Sequence, residues 1–222
     1  MAEQAKSGLT YEPELTGLLI VDPYNDFLSE GGKLHELSRS TLEAHDVVEH
    51  MRQVLAAARA GGLQVFIAPH HRWREGDQHS HWKTMPPIGA ATAKGHVFAD
   101  GTWGGSFHPD FEPRPGEVVA QEHWLSSGFA NTDLDNQLKR QGIHRLIVIG
   151  LIAHTCIEAT VRFAAELGYD VTVIKDAVAD YSDEMMHAAL EINMPNYASA
   201  IVSTEEILIA LSSARSTAPS AQ

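Results

Sequence analysis

Cysteine is nearly absent from this chain: among 222 residues there is one, Cys156. A single thiol excludes an internal disulfide framework and fits a reducing compartment. Cations are scarce as well. With 16 Lys and Arg against 29 Asp and Glu, the net charge is −13. That balance repels phosphate backbones and anionic lipid, so neither nucleic acid nor a membrane is expected as a partner. No apolar run approaches the roughly 18 residues of a membrane span. The first residues, 1–8, are polar, include Glu3 and have no secretory apolar core. Internal repeats are missing too. These absences predict a cytoplasmic protein that acts on a small molecule.

What is present is a sequence of short apolar runs alternating with helical patterns. Residues 17–21, 63–68, 118–120, 145–149, 170–174 and 200–203 read as strands, many of them β-branched and closed by Pro or Asp. Between them, 41–60 carries apolar residues at helical spacing (Val47, Val48, Met51, Val54, Leu55, Ala58) and stops at Gly61-Gly62. A short helix over 132–141 has Thr132 as cap and Gly142 as stop, and further helices begin at Cys156, Asp183 and Glu205. Continuously apolar strands separated by helices predict an α/β fold, a three-layer α/β/α sandwich with a parallel sheet and right-handed crossovers. One domain is expected over 15–211, with tails over 1–14 and 212–222, the second rich in Ser and Ala and mobile.

Residues 69–116 break the pattern. This stretch holds six of the 13 histidines (His70, His71, His79, His81, His96, His108) and three of the four tryptophans (Trp73, Trp82, Trp103). A loop this long in a compact domain is usually functional, and its tryptophans argue against disorder. It reads as an active-site wall or an inter-subunit arm.

Cys156 sits between the apolar run 145–149 and the helical pattern 160–167. At such a strand-to-helix junction, free backbone N–H groups and the helix dipole favour a thiolate. A lone cysteine is as commonly a small buried hydrophobe. Two further groups change the balance. Ligands of open α/β sheets bind at the carboxyl ends of the strands. Asp22 closes the first strand, His123 follows the third and Cys156 the fourth. A cysteine, a histidine and a carboxylate are the parts of a cysteine hydrolase.

The residues that carry this chemistry resemble those of a known family. Leu19-Ile20-Val21-Asp22-Pro23-Tyr24-Asn25-Asp26-Phe27 resembles the first motif of the isochorismatase-like cysteine hydrolases, Gly150 to Thr160 their nucleophile motif, and Ser127-Gly128-Phe129-Ala130-Asn131-Thr132-Asp133-Leu134 their middle motif. The order and spacing match over about residues 15–205. The family includes nicotinamidases, N-carbamoylsarcosine amidases, ureidoacrylate and biuret hydrolases, and isochorismatases. The resemblance implies a six-stranded parallel sheet and homo-oligomerisation. It implies a catalytic carboxylate at Asp22 rather than Asp26, and a nucleophile at Cys156. It further implies a cis peptide at Leu151–Ile152 and an oxyanion hole from the backbone N–H groups of Ile152 and Cys156. One position departs. The family's usual lysine, six residues before the Phe of the middle motif, falls on His123. This histidine either replaces the lysine in a Cys-His-Asp arrangement, orients substrate while Asp22 acts as base, or marks a site adapted to another reaction.

The expected activity is hydrolysis of a small amide or other linear C–N bond through a thioester. The alternatives are vinyl-ether cleavage of the isochorismatase type, which needs no cysteine, and a non-enzymatic binding role. No cofactor is expected. No metal is expected either: nicotinamidases carry an Asp-x-His pair after the second strand, whereas Ala68-Pro69-His70-His71-Arg72 lacks the acid, although Asp77-Gln78-His79 follows later. Phe27, His70, Arg72, Trp73 and Trp124 are candidate substrate contacts. Trp103 and Tyr181 are weaker ones, for which core packing is the competing explanation.

Overall fold

The computed structural model describes residues 11–77 and 82–217. Six strands form one all-parallel sheet: β1 (Thr16–Val21), β2 (Gln64–Ala68), β3 (Val118–Val119), β4 (Arg145–Leu151), β5 (Asp170–Ala179) and β6 (Ala200–Val202). Their order is β3-β2-β1-β4-β5-β6. β1 therefore lies between β2 and β4, pairing Val21 with Ala68 on one side and with Gly150 on the other. The strand order reverses about β1, which opens a crevice at the carboxyl ends of β1 and β4.

Alternation along the strands divides the core into two layers. Leu18 and Ile20 of β1, with Ile147 and Ile149 of β4, face α3 (Val47–Gly61) and α8 (Thr204–Thr217) through Met51, Val54, Leu55, Ile207 and Leu211. Leu19, Val21 and Val148 face the other way. They meet Leu134 and Leu138 of α5 (Leu134–Arg140) and Val161 and Ala164 of α6 (Glu158–Glu166). Burying both faces demands the near-continuous apolar strands that the sequence displays.

Several local outcomes differ from the sequence expectation. The helical pattern over 41–60 belongs to two helices, α2 (His35–Ala44) and α3, because Asp46 adopts the left-handed region at φ 46° and turns the chain. α3 stops as expected: Gly62, at φ 77°, turns its N–H back to the carbonyls of Ala58 and Arg59. β5 continues five residues past Ile174. Its register on β4 shifts between Val148 and Gly150, and Lys175, exposed in mid-strand, hides the continuation from an apolar reading. The segment 69–116 contains α4 (Pro87–Lys94) and a 3₁₀ turn, Pro109–Phe111. The packed domain also reaches beyond 15–211. Tyr11 is buried with its hydroxyl 3.0 Å from Thr172 Oγ1, and α8 runs on to Thr217, so the stretch expected as a mobile tail begins as helix. The remainder of that stretch, residues 218–222, lies outside the described residues. No described helix is long and apolar enough to cross a membrane.

Candidate active site

Three strand ends bring Asp22, His123 and Cys156 together. Their ligand-type atoms all lie within 4.8 Å of one another, and all three residues are buried. Each is positioned mainly by backbone. Asp22 leaves β1 at φ 53°, a left-handed conformation that Asp tolerates better than most residues. Its N–H donates to Ala68 O at 3.1 Å and its carbonyl accepts from Tyr24 N at 2.8 Å. Next to it, Gly150 stands at φ 124°. A Cβ there would lie 2.1 Å from Val21 O, so only glycine lets β4 approach the end of β1.

His123 is held by an extension of the β2–β3 ladder. Its N–H donates to Pro69 O at 2.9 Å, and His71 N donates to its carbonyl at 2.7 Å. The ring Nε2 lies 2.9 Å from Asp22 Oδ1. Asp22 Oδ2 and His123 Nδ1 are buried without a hydrogen-bond partner among the described residues.

Cys156 does not begin a regular helix. It lies within a π-helical turn, Ala153–Ile157, closed by Ile157 N donating to Ile152 O at 3.1 Å. Such turns recur at functional sites. The Leu151–Ile152 peptide is cis. Asp180, fully buried, anchors this turn. Its carboxylate accepts from His154 N at 2.8 Å and Tyr181 N at 2.7 Å, and its Oδ1 meets His154 Nδ1 at 2.6 Å. The hydrogen bond to Asp180 raises the His154 pKa above its ordinary value.

The surroundings outweigh the local groups that favour a thiolate. Burial pushes the Cys156 thiol well up, and the negative charge of Asp22 pushes it further. Desolvation disfavours the anion more than the local dipoles favour it. The group at rest is therefore a thiol beside a carboxylate. Near it, His70 is driven the other way, down to about 4, by burial and by the adjacent His123. His70 is thus neutral at physiological pH. With Nδ1 2.9 Å from His71 O, its proton sits on Nδ1 and its Nε2 is an acceptor.

Cys156 lines a cavity of ≈ 530 Å³ together with Phe27, His70, Ile152, Thr155 and Tyr181. Leu34, Leu37, Ile88, Val97 and Leu125 extend its apolar wall, and Lys33 is its one charged lining side chain among the described residues. Of the candidate substrate contacts, Phe27 and His70 reach this cavity and Arg72, Trp73 and Trp124 do not. The Arg72 guanidinium donates to Glu122 Oε1 at 2.8 Å and Gly105 O at 2.7 Å. Trp73 stacks on His96 and Trp124 on His71, each at 3.8 Å between ring centroids. These side chains brace the long segment. Trp103 is exposed, and Tyr181 joins the lining.

Asp26, the other acid of the first motif, has a structural task. Its carboxylate accepts from Phe98 N at 2.7 Å and Lys33 N at 3.1 Å, tying two loops together. The long segment 69–116, read from sequence as a wall of the site, supplies Ile88, Ala91 and Val97 to the lining, whereas the part of the wall from Leu34 and α2, which presents Leu37, was missed because these residues carry no chemical signature. Of the histidines considered for metal, His79 lies outside the described residues. Among the described residues, the His/Cys/Asp/Glu group compact enough to hold an ion is the Asp22–His123–Cys156 cluster itself.

Known proteins resemble this chain in sequence and in fold. The isochorismatase domain model matches residues 16–206. The ureidoacrylate amidohydrolase RutB of Pantoea ananatis is 28% identical over 196 residues, covering 84% of this chain and 78% of the relative. That of Agrobacterium fabrum is 26% identical over 203 residues, covering 85% and 86%. Among solved structures, a cysteine hydrolase from Pseudomonas syringae pv. phaseolicola 1448A superposes with a TM-score of 0.78 at 22% identity, covering 93% of this chain and 97% of that one. An isochorismatase family protein from Desulfovibrio vulgaris gives 0.68 at 26% identity, covering 90% and 98%. The domain match runs from the first strand through the last and includes the three strand ends that carry Asp22, His123 and Cys156, so the chain belongs to the isochorismatase family.

Proposed function

We propose that this protein is a cysteine-dependent amidohydrolase that cleaves a linear, non-peptide C–N bond of a small molecule through a thioester. The observation that carries the reading is the convergence of Asp22, His123 and Cys156 within 4.8 Å, with Cys156 lining a cavity and the other two buried behind it. The names of the RutB relatives, as ureidoacrylate amidohydrolases, support the same reaction class.

In this mechanism a substrate carbonyl enters over Cys156. Asp22 accepts the thiol proton as sulfur attacks, which removes the cost of holding a resting thiolate in an apolar floor. The carbonyl oxygen becomes an oxyanion facing the backbone N–H groups of Ile152 and Cys156, an interaction worth several kcal/mol when preorganised. The protonated Asp22 then gives its proton to the leaving nitrogen, the C–N bond breaks, and an acyl thioester remains on Cys156. Water, deprotonated by Asp22, hydrolyses the thioester and restores the thiol.

His123 takes the place where the family resemblance expects lysine. Hydrogen-bonded to Asp22 Oδ1, it fixes the carboxylate and steadies it in both protonation states. Neutral His70 offers its Nε2 to a substrate N–H. The apolar wall suits an amide with an apolar body, and Lys33 gives it one cation to meet an anionic end. The test is turnover of small amides and ureas by wild type and Cys156→Ala. The variant is expected to lose essentially all turnover. Full activity in it would end the covalent reading, and turnover of a vinyl ether but of no amide or urea by both proteins would favour isochorismatase-type cleavage, which needs no thiol.

A further inference from the structure

We propose that the Asp22–His123–Cys156 cluster is also a site for a zinc-type divalent cation, which caps the thiol reversibly. Binding itself depends only on the cluster; the inhibition that follows rests on the amidohydrolase reading above. One imidazole nitrogen, one carboxylate oxygen and one sulfur form the mixed donor set that zinc accepts. Zinc bonds of about 2.0–2.1 Å to N and O and about 2.3 Å to S place tetrahedral ligands roughly 3.3–3.8 Å apart. In this cluster the Asp22–His123 pair stands at 2.9 Å and no ligand-type separation exceeds 4.8 Å, so small side-chain shifts suffice.

Two further observations point to a ligand. Asp22 Oδ2 is buried and lacks a hydrogen-bond partner among the described residues, on a side chain with no exposure. Buried polar atoms of this kind ordinarily have one. The charge count also favours a dication. With Cys156 as thiolate, Asp22 as carboxylate and His123 neutral, the bound cluster sums to zero, which suits a buried floor. A lysine at position 123 would offer an ammonium in place of a ligand. Of the three residues Cys156 lines the cavity, the side from which a fourth ligand would reach a bound cation.

Binding forms metal–sulfur, metal–nitrogen and metal–oxygen bonds. It breaks the Cys156 S–H bond and releases that proton to solvent, while the proton that His123 Nε2 gives to its hydrogen bond with Asp22 ends on Nδ1, so the imidazole stays neutral. No oxidation state changes. The nucleophile's lone pair is then engaged by the metal, and the base that would activate it is a ligand.

The experiment uses full-length protein purified without a metal-affinity tag and stripped with a chelator. Cobalt(II) serves as the spectroscopic probe and zinc(II) as the competitor. The expected results are one bound cobalt with a thiolate-to-cobalt charge-transfer band, at least tenfold slower alkylation of Cys156 by iodoacetamide at saturating zinc, and recovery on chelation. His123→Lys should weaken binding at least a hundredfold. Metal bound without the charge-transfer band, or alkylation unchanged by zinc, would overturn the proposal. The wild-type spectrum and alkylation rate need neither a folded variant nor a known substrate, so they test the site even if the amidohydrolase reading fails.

Discussion

The two ends of the cavity are built from different interactions. At the floor, Asp22, His123 and Cys156 are set by main-chain geometry: a left-handed residue, a glycine that no other residue can replace, a ladder extended by Pro69 and His71, and a π turn clamped by Asp180. At the mouth, Leu37 of α2, Ile88 of α4 and Lys33 are exposed and presented by loops and surface helices. Backbone-set groups keep the precision that bond making requires. Side-chain walls on surface elements can vary without disturbing the floor, which is how one fold serves many substrates. The difference implies that chemistry and specificity separate cleanly by depth.

The sharpest break of that contrast is at the floor. Asp22→Asn retains the shape but cannot accept a proton, and kcat is expected to fall by about 10⁴-fold or more, the scale of loss when one member of a nucleophilic unit is removed. His123→Ala should cost about 10²–10³-fold, within the range for a positioned acid–base partner. Single-turnover kinetics on both variants checks the order. An equal loss from the two would assign proton transfer to the pair rather than to Asp22.

His70 joins the two ends, and its titration offers a second probe. Because its folded pKa is lowered from 6.5 to about 4, the unfolded chain binds the extra proton over that window. Stability should therefore fall as pH drops from about 6.5 toward 4, by on the order of 3 kcal/mol. Denaturant unfolding across this range measures it, and His70→Gln should flatten the curve. The smallest effect concerns the clamp on the π turn. His154 has a raised folded pKa, so its pairing with Asp180 stabilises fully below the unfolded value and is lost as pH rises through the folded one. Asp180→Asn should cost about 2 kcal/mol near pH 5 and less at pH 9, since the charged hydrogen bond is the part removed. A pH-independent loss would show that the backbone bonds of Asp180 matter more than its ion pair.

The same division explains what could be read from the sequence. The central sheet was legible because strands buried on both faces must be apolar throughout, and the floor because Asp22 ends one such run and His123 and Cys156 come within a few residues of two others. Gly150 opened the nucleophile motif in the sequence, but its steric role beside Val21 O shows only in the structure. The split between α2 and α3 was not legible, since Asp46 interrupts no apolar spacing. Nor was the thiol's protonation state: the local motif suggests a helix dipole, whereas burial and Asp22 come from contacts distant in sequence. The mouth was legible as a segment, since 69–116 stood out as a wall, but not residue by residue. Arg72, Trp73 and Trp124 stand out by residue type yet are engaged by Glu122, His96 and His71, and the true wall is ordinary Leu, Ile and Ala.

The central claim is covalent catalysis by Cys156, and intact-protein mass spectrometry during turnover of a slow amide tests it most directly. The account predicts a mass increase equal to the acyl group, mapped to Cys156, absent in Cys156→Ala and longer-lived in His123→Ala. Steady turnover with no adduct on the wild-type protein, together with retained activity in Cys156→Ala, would contradict it.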